Sequence, residues 1–182
     1  MKKFKMLTVS TILLAVTALA IPAGLQAQED KKDKLLADSK EAKEQFIKSD
    51  ELMHNLFEKS YGYVIFPNVG KGAIGVGGAA GNGIVYENGT AIGSAKMKQV
   101  SVGFQFGGQA YREVIFFENK AALDRFKENK FEFAAQVSAV AATKGASANV
   151  KYNDGVMVFT QEKGGLMYEA SVGGQKFDYV PF

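Results

Sequence analysis

The chain has 182 residues, no cysteine, one histidine and a formal net charge of +3. Without cysteine it forms neither disulfides nor thiolate metal sites, so its stability has to come from packing. His54 alone would have to serve as the base in Ser-His or Cys-His catalysis, and its position on a predicted helix favours a surface role. No group of His, Asp and Glu has convincing metal-ligand spacing. We therefore expect a protein that is not an enzyme and has no metal and no cofactor.

Residues 1–27 have the pattern of a secretory signal peptide. Three lysines near the start precede the uncharged, mostly apolar stretch Met6–Ile21, and Ala27 offers a small residue for cleavage. The apolar stretch is 16 residues long, shorter than the roughly 18–20 that span a bilayer. We expect an exported protein, periplasmic or associated with the cell envelope; retention of the segment as an anchor is the alternative.

Cleavage changes the charge balance. Removing three lysines from the 22 basic residues leaves 19, equal to the 19 acidic residues. The basic character thus belongs to the export signal, and global charge gives no support to nucleic-acid binding. After the signal we expect a charged leader at residues 28–34 and a single domain at residues 35–182.

Leu35–Phe57 has helical periodicity. Apolar residues recur on one face, and Lys, Glu and Asp fill the other. Ser49 and Asp50 are good N-cap residues, so the segment can break there into two helices. Such a helix either lies in a membrane interface or packs on the protein's own sheet.

After this segment the period changes to two, which is typical of strands. Asn88-Gly89 and Asn153-Asp154-Gly155 are hairpin signals, and Asn119 is expected to cap a short helix, Lys120–Glu128. The predicted strands are Tyr63–Phe66 (ended by Pro67), Ala73–Ala80, Ile84–Tyr86, Ala91–Lys96, Val100–Phe106, Tyr111–Phe117, Phe131–Val140, Val150–Tyr152, Val156–Thr160, Leu166–Val172 and Lys176–Val180. We predict an α+β fold: N-terminal amphipathic helices packed on a curved, glycine-rich, mainly antiparallel β-sheet or partial barrel, with one short inserted helix.

Gly62–Gly83 is unusually rich in glycine, and Gly75–Ala80 formally matches a dinucleotide-binding pattern. A phosphate site of that type needs a helix to begin at the glycines, so that its N–H groups face the anion. Here Ile84–Tyr86 predicts a strand instead. We therefore expect no nucleotide, and interpret the glycines as positions where the sheet bends or another segment packs closely.

Several lysines lie near predicted strand ends and glycine-rich turns, namely Lys71, Lys96, Lys98, Lys144 and Lys151. Gathered on one rim, they would form a local site for anionic headgroups despite the neutral net charge. The alternative is that they are scattered and only solubilising.

The order of motifs resembles the SYLF domain family over roughly residues 35–180. The residues that carry the resemblance are Ser49–Glu51, Gly62–Gly72, Gly75–Gly78, Gly81–Gly83, Val102–Gln109, Phe131–Ala142, Gly164–Leu166 and Ala170–Val172. The resemblance implies phospholipid binding, with phosphoinositide and actin links in eukaryotic relatives, and no catalytic residues. Where many relatives have Gly-Pro-Val-Gly, this chain has Ala142–Gly145, so that loop is expected to differ in shape.

Together these features predict a non-enzymatic, peripheral phospholipid-binding protein of the bacterial cell envelope. Its expected partner is an anionic phospholipid surface. Candidate headgroup contacts are Lys71, Lys96, Lys98 and Lys144, and candidate apolar contacts are Leu35, Phe46 and Phe57. One alternative is a periplasmic structural or protein-interaction module. Another is a small outer-membrane β-barrel, although the amphipathic helix, the Asn119 helix and Pro181 fit that architecture poorly.

Overall fold

The computed structural model describes residues 23–74, 76–101, 109–129, 131–133, 138–163 and 169–182. These residues form helices packed with one β-sheet, so the predicted α+β class is confirmed. The elements in chain order are α1 (Ala23–Ser49), α2 (Met53–Lys59), β1 (Gly62–Ile74), β2 (Val76–Glu87), β3 (Thr90–Ser101), β4 (Gln109–Phe117), α3 (Lys120–Lys127), β5 (Ser138–Ala141), a 3₁₀ helix (Ala146–Asn149), β6 (Val156–Glu162), β7 (Glu169–Ser171) and β8 (Gln175–Pro181).

The eight strands lie in the order β7-β5-β6-β4-β1-β2-β3-β8, and all neighbours are antiparallel except β5 and β6. The sheet is strongly curved. Gln175 Nε2 of β8 donates a hydrogen bond to Glu113 Oε2 of β4 at 3.0 Å, although three strands lie between them. In a flat sheet, four spacings of about 4.8 Å would separate these strands by about 19 Å. The prediction of a curved, mainly antiparallel sheet is confirmed, and the sheet is open, with β7 and β8 at its ends.

Curvature gives the sheet an inner, concave face and an outer face. The inner face is filled by α3 and by aromatic rings; Phe126 lies 5.1 Å from Phe117 and 5.1 Å from Phe177 between ring centroids. The outer face is covered by α1 and α2, whose buried side chains pack on β1, β2, β4 and β6. This outer cluster consists of Ala42, Phe46, Met53, Phe57, Tyr63, Ile65, Ile84, Tyr86, Val114, Phe116, Ala142, Met157 and Phe159.

α1 ends at Ser49, which confirms the predicted break, although the N-cap of α2 is Leu52 and no side chain caps it. Asp50 is buried, and its carboxylate accepts the N–H of Leu52 at 3.1 Å and the N–H of Ser147 at 2.8 Å. Hydrogen bonds from Ser147, Leu52 and Gly145 lower the pKa of Asp50 although desolvation acts in the opposite direction. One ionised carboxylate therefore ties the helix junction to the 3₁₀ helix. Within the described residues, no helix is long and apolar enough to cross a membrane.

Two strand predictions fail in the glycine-rich region. Pro67 does not end a strand: β1 continues through it to Ile74. The pairing of β1 with both of its neighbours shifts around Pro67, and such an irregularity accommodates a residue without an N–H. Ala73–Ala80 is not one strand either, since Ile74 pairs with Val76 and the chain reverses between them. The segment is the β1–β2 hairpin instead of one strand. Glycine spacing does not indicate where a strand ends and the chain reverses, so the sequence pattern could not show this.

The tight turns follow their sequence signals. Asn88 and Gly89 both have positive φ, 49° and 77°, as the predicted hairpin turn between β2 and β3 requires. Asp154 and Gly155 repeat this with 50° and 77° before β6. Asn119 Oδ1 accepts the N–H of Ala122 at 3.0 Å, which confirms the cap of α3.

The remaining strand predictions have mixed outcomes. Val150–Tyr152 is not a strand, because Tyr152 packs against the outer cluster instead of joining the ladder. The predicted strands Val100–Phe106, Phe131–Val140 and Leu166–Val172 lie only partly within the described residues, where β3 ends at Ser101, β5 covers Ser138–Ala141 and β7 covers Glu169–Ser171.

Candidate functional site

A shallow depression of about 240 Å³ lies on the outer face of the sheet, where β1, β2 and β3 run side by side. We call it the basic depression; its lining residues are Asn68, Ala80, Gly81, Asn82, Lys96, Met97 and Lys98. Strand register brings them together: Asn68 pairs with Asn82, and Asn82 pairs with Lys96. Because side chains alternate along a strand, the buried Met97 turns inward and its two lysine neighbours turn outward.

Lysines supply the positive charge at the basic depression, and Asp178 stands beside two of them. Lys98 Nζ lies 3.5 Å from Asp178 of β8, and both side chains are largely exposed, so this ion pair is screened by solvent. Lys96 has no ion-pair partner within the described part of the chain. Lys163 adds a further cation, since its Nζ donates to Asn68 Oδ1. Desolvation lowers the pKa of Lys163, and the nearby Arg112 acts in the same direction.

The four predicted headgroup lysines do not all gather here. Lys96 and Lys98 line the basic depression together. Lys144 is exposed in the turn that precedes the 3₁₀ helix, and it is not one of the lining residues. The backbone of Lys71 lies on β1 opposite Ala79 and Gln109, while its side chain is outside the described residues.

The three predicted apolar contacts belong to the layer under the helices. Phe46 is 0% and Phe57 4% exposed. Phe57 packs edge-on against Tyr63 and Phe116, with ring centroids 5.0 and 4.8 Å apart. Leu35 is half-buried against the same cluster. The amphipathic stripe thus packs on the protein's own sheet, and none of the three side chains lines the basic depression.

Sequence reasoning missed the polar residues that complete the basic depression. Asn68 follows Pro67 and Asn82 lies between two glycines, so both have the sequence context of turn residues. In the structure both belong to strands, and Gly83 beside Asn82 lets β2 approach the ring of Phe66 closely. A Cβ at Gly83 would lie 2.7 Å from Phe66 Cδ1. Long strands with glycine at contact points carry no local signal that separates them from loops.

A second polar group is buried on the inner face. Glu113 and Gln175 are fully buried and hydrogen-bonded to each other, and Thr160, opposite Glu113 in the register of β4 and β6, is fully buried as well. Its only sequence signal is a single acidic residue inside the apolar run of Tyr111–Phe117.

The one histidine of the sequence lies outside the basic depression. His54 is exposed on α2, as predicted, with Nε2 3.1 Å from Glu58 Oε1 one turn away. No group of three or more His, Asp or Glu side chains in the described segments is arranged to hold a metal ion.

Comparison with known proteins identifies relatives. The Ysc84 family, described as "Las17-binding protein actin regulator", matches residues 98–179, from the end of β3 into β8. Beta cell expansion factor A of Aeromonas veronii is 31% identical over 123 residues, which is 67% of this chain and 47% of that protein. The match therefore spans about half the length of that relative. With the motif order described above, these matches show that the chain belongs to the SYLF (Ysc84) domain family.

Proposed function

We propose that this protein is a non-enzymatic, peripheral phospholipid-binding protein of the bacterial cell envelope, and that it holds anionic headgroups at the basic depression. The observation that carries the proposal is the placement of Lys96 and Lys98 on successive outward positions of β3, beside the amides of Asn68 and Asn82. Membership of the SYLF family, which is associated with lipid binding, supports the same function.

The chemistry of the basic depression suits a phosphate group. Two ammonium groups provide charge and rotatable N–H donors, and the carboxamides of Asn68 and Asn82 provide further donors and acceptors at the same wall. The exposed ion pair of Lys98 with Asp178 is weak enough for a phosphate to replace Asp178 as the partner of Lys98. A depression this shallow favours a headgroup over a buried acyl chain.

The proposal predicts electrostatic binding to anionic vesicles. We expect the protein to sediment with phosphatidylglycerol vesicles at low salt, to bind phosphatidylcholine vesicles weakly, and to dissociate as salt screens the charges. Because a lysine near an anionic surface contributes about 1 kcal/mol, the double substitution Lys96→Gln/Lys98→Gln should weaken binding by roughly 10- to 30-fold.

A matched control removes the same charge elsewhere. Lys59→Gln/Lys151→Gln changes two exposed lysines that lie outside the basic depression, and it should leave most of the binding intact. Equal losses in the two double variants would show that only net charge matters and would overturn the assigned site. No binding to phosphatidylglycerol at low salt would overturn the function and favour a protein-interaction module.

The envelope location is proposed from the N-terminal sequence. Cell fractionation, with mass spectrometry of the fractionated protein, should find it in the periplasm or envelope without residues 1–27. An intact chain in the cytoplasmic fraction would contradict this location.

A further inference from the structure

The inner face carries a group of buried polar side chains where apolar packing would be expected. We call Tyr111, Glu113, Thr160 and Gln175 the inner polar cluster; none of them is more than 2% exposed. Strand register explains their proximity, since Glu113 pairs with Thr160 across β4 and β6, and Tyr111 lies two residues before Glu113 on the same face. Gln175 reaches them from the far edge of the sheet because the sheet curls.

The hydrogen bonds of the inner polar cluster are incomplete. Gln175 Nε2 donates to Glu113 Oε2, but Glu113 Oε1, Gln175 Oε1 and Thr160 Oγ1 have no hydrogen-bond partner among the described residues. An ionised Glu113 would be a buried charge stabilised by one neutral donor, which is costly. A protonated Glu113 gains an O–H donor for one of these acceptors. The arrangement therefore fits the neutral carboxylic acid.

Few charges face Glu113. Strand register and the hydrogen bond place four described side chains next to Glu113: Tyr111 two residues earlier on its own strand, Thr160 of β6, Gln175 of β8 and Phe66 of β1. Tyr111 is the titratable one; burial, and then the charge of Glu113, raise its pKa, so it stays neutral. Lys71 of β1 pairs with Gln109, four residues before Glu113, and its side chain is outside the described residues.

The carboxyl is consequently poised to titrate. Burial raises the pKa of Glu113 from 4.5 to about 7, and the hydrogen bond from Gln175 acts in the opposite direction. Because the pKa of Glu113 is higher in the folded state than in the unfolded state, its contribution to folding stability is full below about pH 4.5 and is lost as pH rises through 7. This loss of stability should affect β8 first, because its Gln175 is the hydrogen-bond partner of Glu113.

β8 also borders the basic depression. Its Asp178 pairs with Lys96 in the β3–β8 register and makes the ion pair with Lys98. The same strand therefore carries Gln175 on the inner face and Asp178 on the outer face. Any loosening of β8 changes which charges stand beside Lys96 and Lys98.

We propose that Glu113 and Gln175 form a proton-operated latch between β4 and β8. With Glu113 protonated, the latch holds β8 in the curled sheet, where β8 also pairs with β3 and is bridged to Glu132. With Glu113 ionised, β8 separates from these neighbours more readily and takes Asp178 away from Lys98. The link to the basic depression rests on the proposed function, whereas the latch itself does not.

Hydrogen exchange of the β8 amides at pH 5.5 and 8.5 tests the latch without any lipid. After correction for intrinsic exchange rates, protection of Lys176–Val180 should fall by about tenfold or more at the higher pH, while β1 and β2 change little. Glu113→Gln keeps the shape and an N–H donor but cannot ionise, so its β8 protection should be the same at both pH values. Glu118→Gln, an exposed carboxyl on the loop after β4, should behave like the unsubstituted protein.

Three outcomes would overturn the latch. One is equal β8 protection of the unsubstituted protein at both pH values, and another is a Glu113→Gln variant that retains the pH dependence. The third is a rise in Tm at pH 8.5 on adding Ca²⁺ that Glu113→Gln abolishes, which would assign the carboxylate to a cation instead. Gln175→Leu removes the bond from the other side and should show low β8 protection at both pH values.

The coupling between the latch and the basic depression is tested separately, by the pH dependence of vesicle binding. If vesicle binding exists but has the same pH dependence in Glu113→Gln and in the unsubstituted protein, the coupling fails and the proposed function stands. If vesicles never bind, the exchange result still decides the latch.

Discussion

The two ends of the long strands β1, β2 and β4 differ in what they bury. At the end formed by Tyr63–Phe66, Ile84–Tyr86 and Val114–Phe117, which we call the apolar end, side chains on both faces are buried and almost all apolar. Towards the other end, the polar end, which begins beside Phe66 at Glu113, the inner face buries Glu113 and Gln175 among apolar side chains and the outer face exposes Lys96 and Lys98. On β1 the change falls at the register shift around Pro67.

The two ends of the same strands therefore have different roles: the apolar end stabilises the fold, and the polar end carries the candidate binding and titratable groups. Helices α1 and α2 cover the apolar end, where removal of a side chain leaves a cavity that packed neighbours cannot fill. The polar end has exposed cations on one face and a titratable group on the other, so its changes should be seen in binding and pH dependence. A substitution at one end should leave the property of the other end largely intact.

The largest effect is expected from Phe116→Ala at the apolar end. Phe116 is fully buried and lies 4.8 Å from Phe57 and 6.1 Å from Phe159 between ring centroids. The loss of these contacts should lower the free energy of unfolding by about 3–5 kcal/mol, measured by urea denaturation. Phe182→Ala, at a residue that is 50% exposed, is the control and should cost less than about 1 kcal/mol. Phe116→Ala protein that unfolds like the control would break the comparison.

Asp50→Asn should have the next largest effect, and it sharpens the contrast with Glu113. Both carboxyls are buried, but Asp50 accepts N–H groups from Leu52 and Ser147, which favour its ionised form. Asn keeps the shape and loses the charge, so we expect a loss of about 1.5–3 kcal/mol at pH 7, with Glu51→Gln as the exposed control.

Asp50 and Glu113 contribute to folding stability with opposite pH dependence. The pKa of Asp50 is lowered from 3.8 on folding. Its contribution is therefore present above pH 3.8 and is lost as pH falls through the lower folded-state pKa. Urea midpoints at pH 7 and pH 3 should differ less for Asp50→Asn than for the unsubstituted protein. An equal pH difference in both would exclude an ionised Asp50 as a tie at the helix junction.

The sequence predicted elements whose cause is local. The Asn88-Gly89 turn and the Asn119 cap each depend on residues within a few positions of one another. The curl of the sheet has no such origin. It depends on β8 meeting β4 across three other strands, and for that reason Glu113 could not be recognised as the partner of Gln175.

The sequence could not show which face of β4 is the inner one, or which residues meet at the basic depression. In β4, successive side chains face the helices and the interior in turn, so the apolar run of Tyr111–Phe117 gives no pattern that identifies its inner face. Asn68 and Asn82 meet Lys96 only through the register of three strands. The lysines were therefore predictable as candidates, but which of them share a site was not.

The smallest effect is expected from Lys144→Gln. Lys144 was a headgroup candidate because it lies in a glycine-containing turn, but the structure places it beside the 3₁₀ helix and outside the basic depression. We expect its binding to phosphatidylglycerol vesicles to change by less than about threefold, against roughly fivefold for Lys98→Gln, since one lysine at the surface contributes about 1 kcal/mol. Co-sedimentation at one low salt concentration measures both variants. If Lys144→Gln weakens binding as much as Lys98→Gln does, the membrane-facing surface is wider than the basic depression and includes the loop after β5.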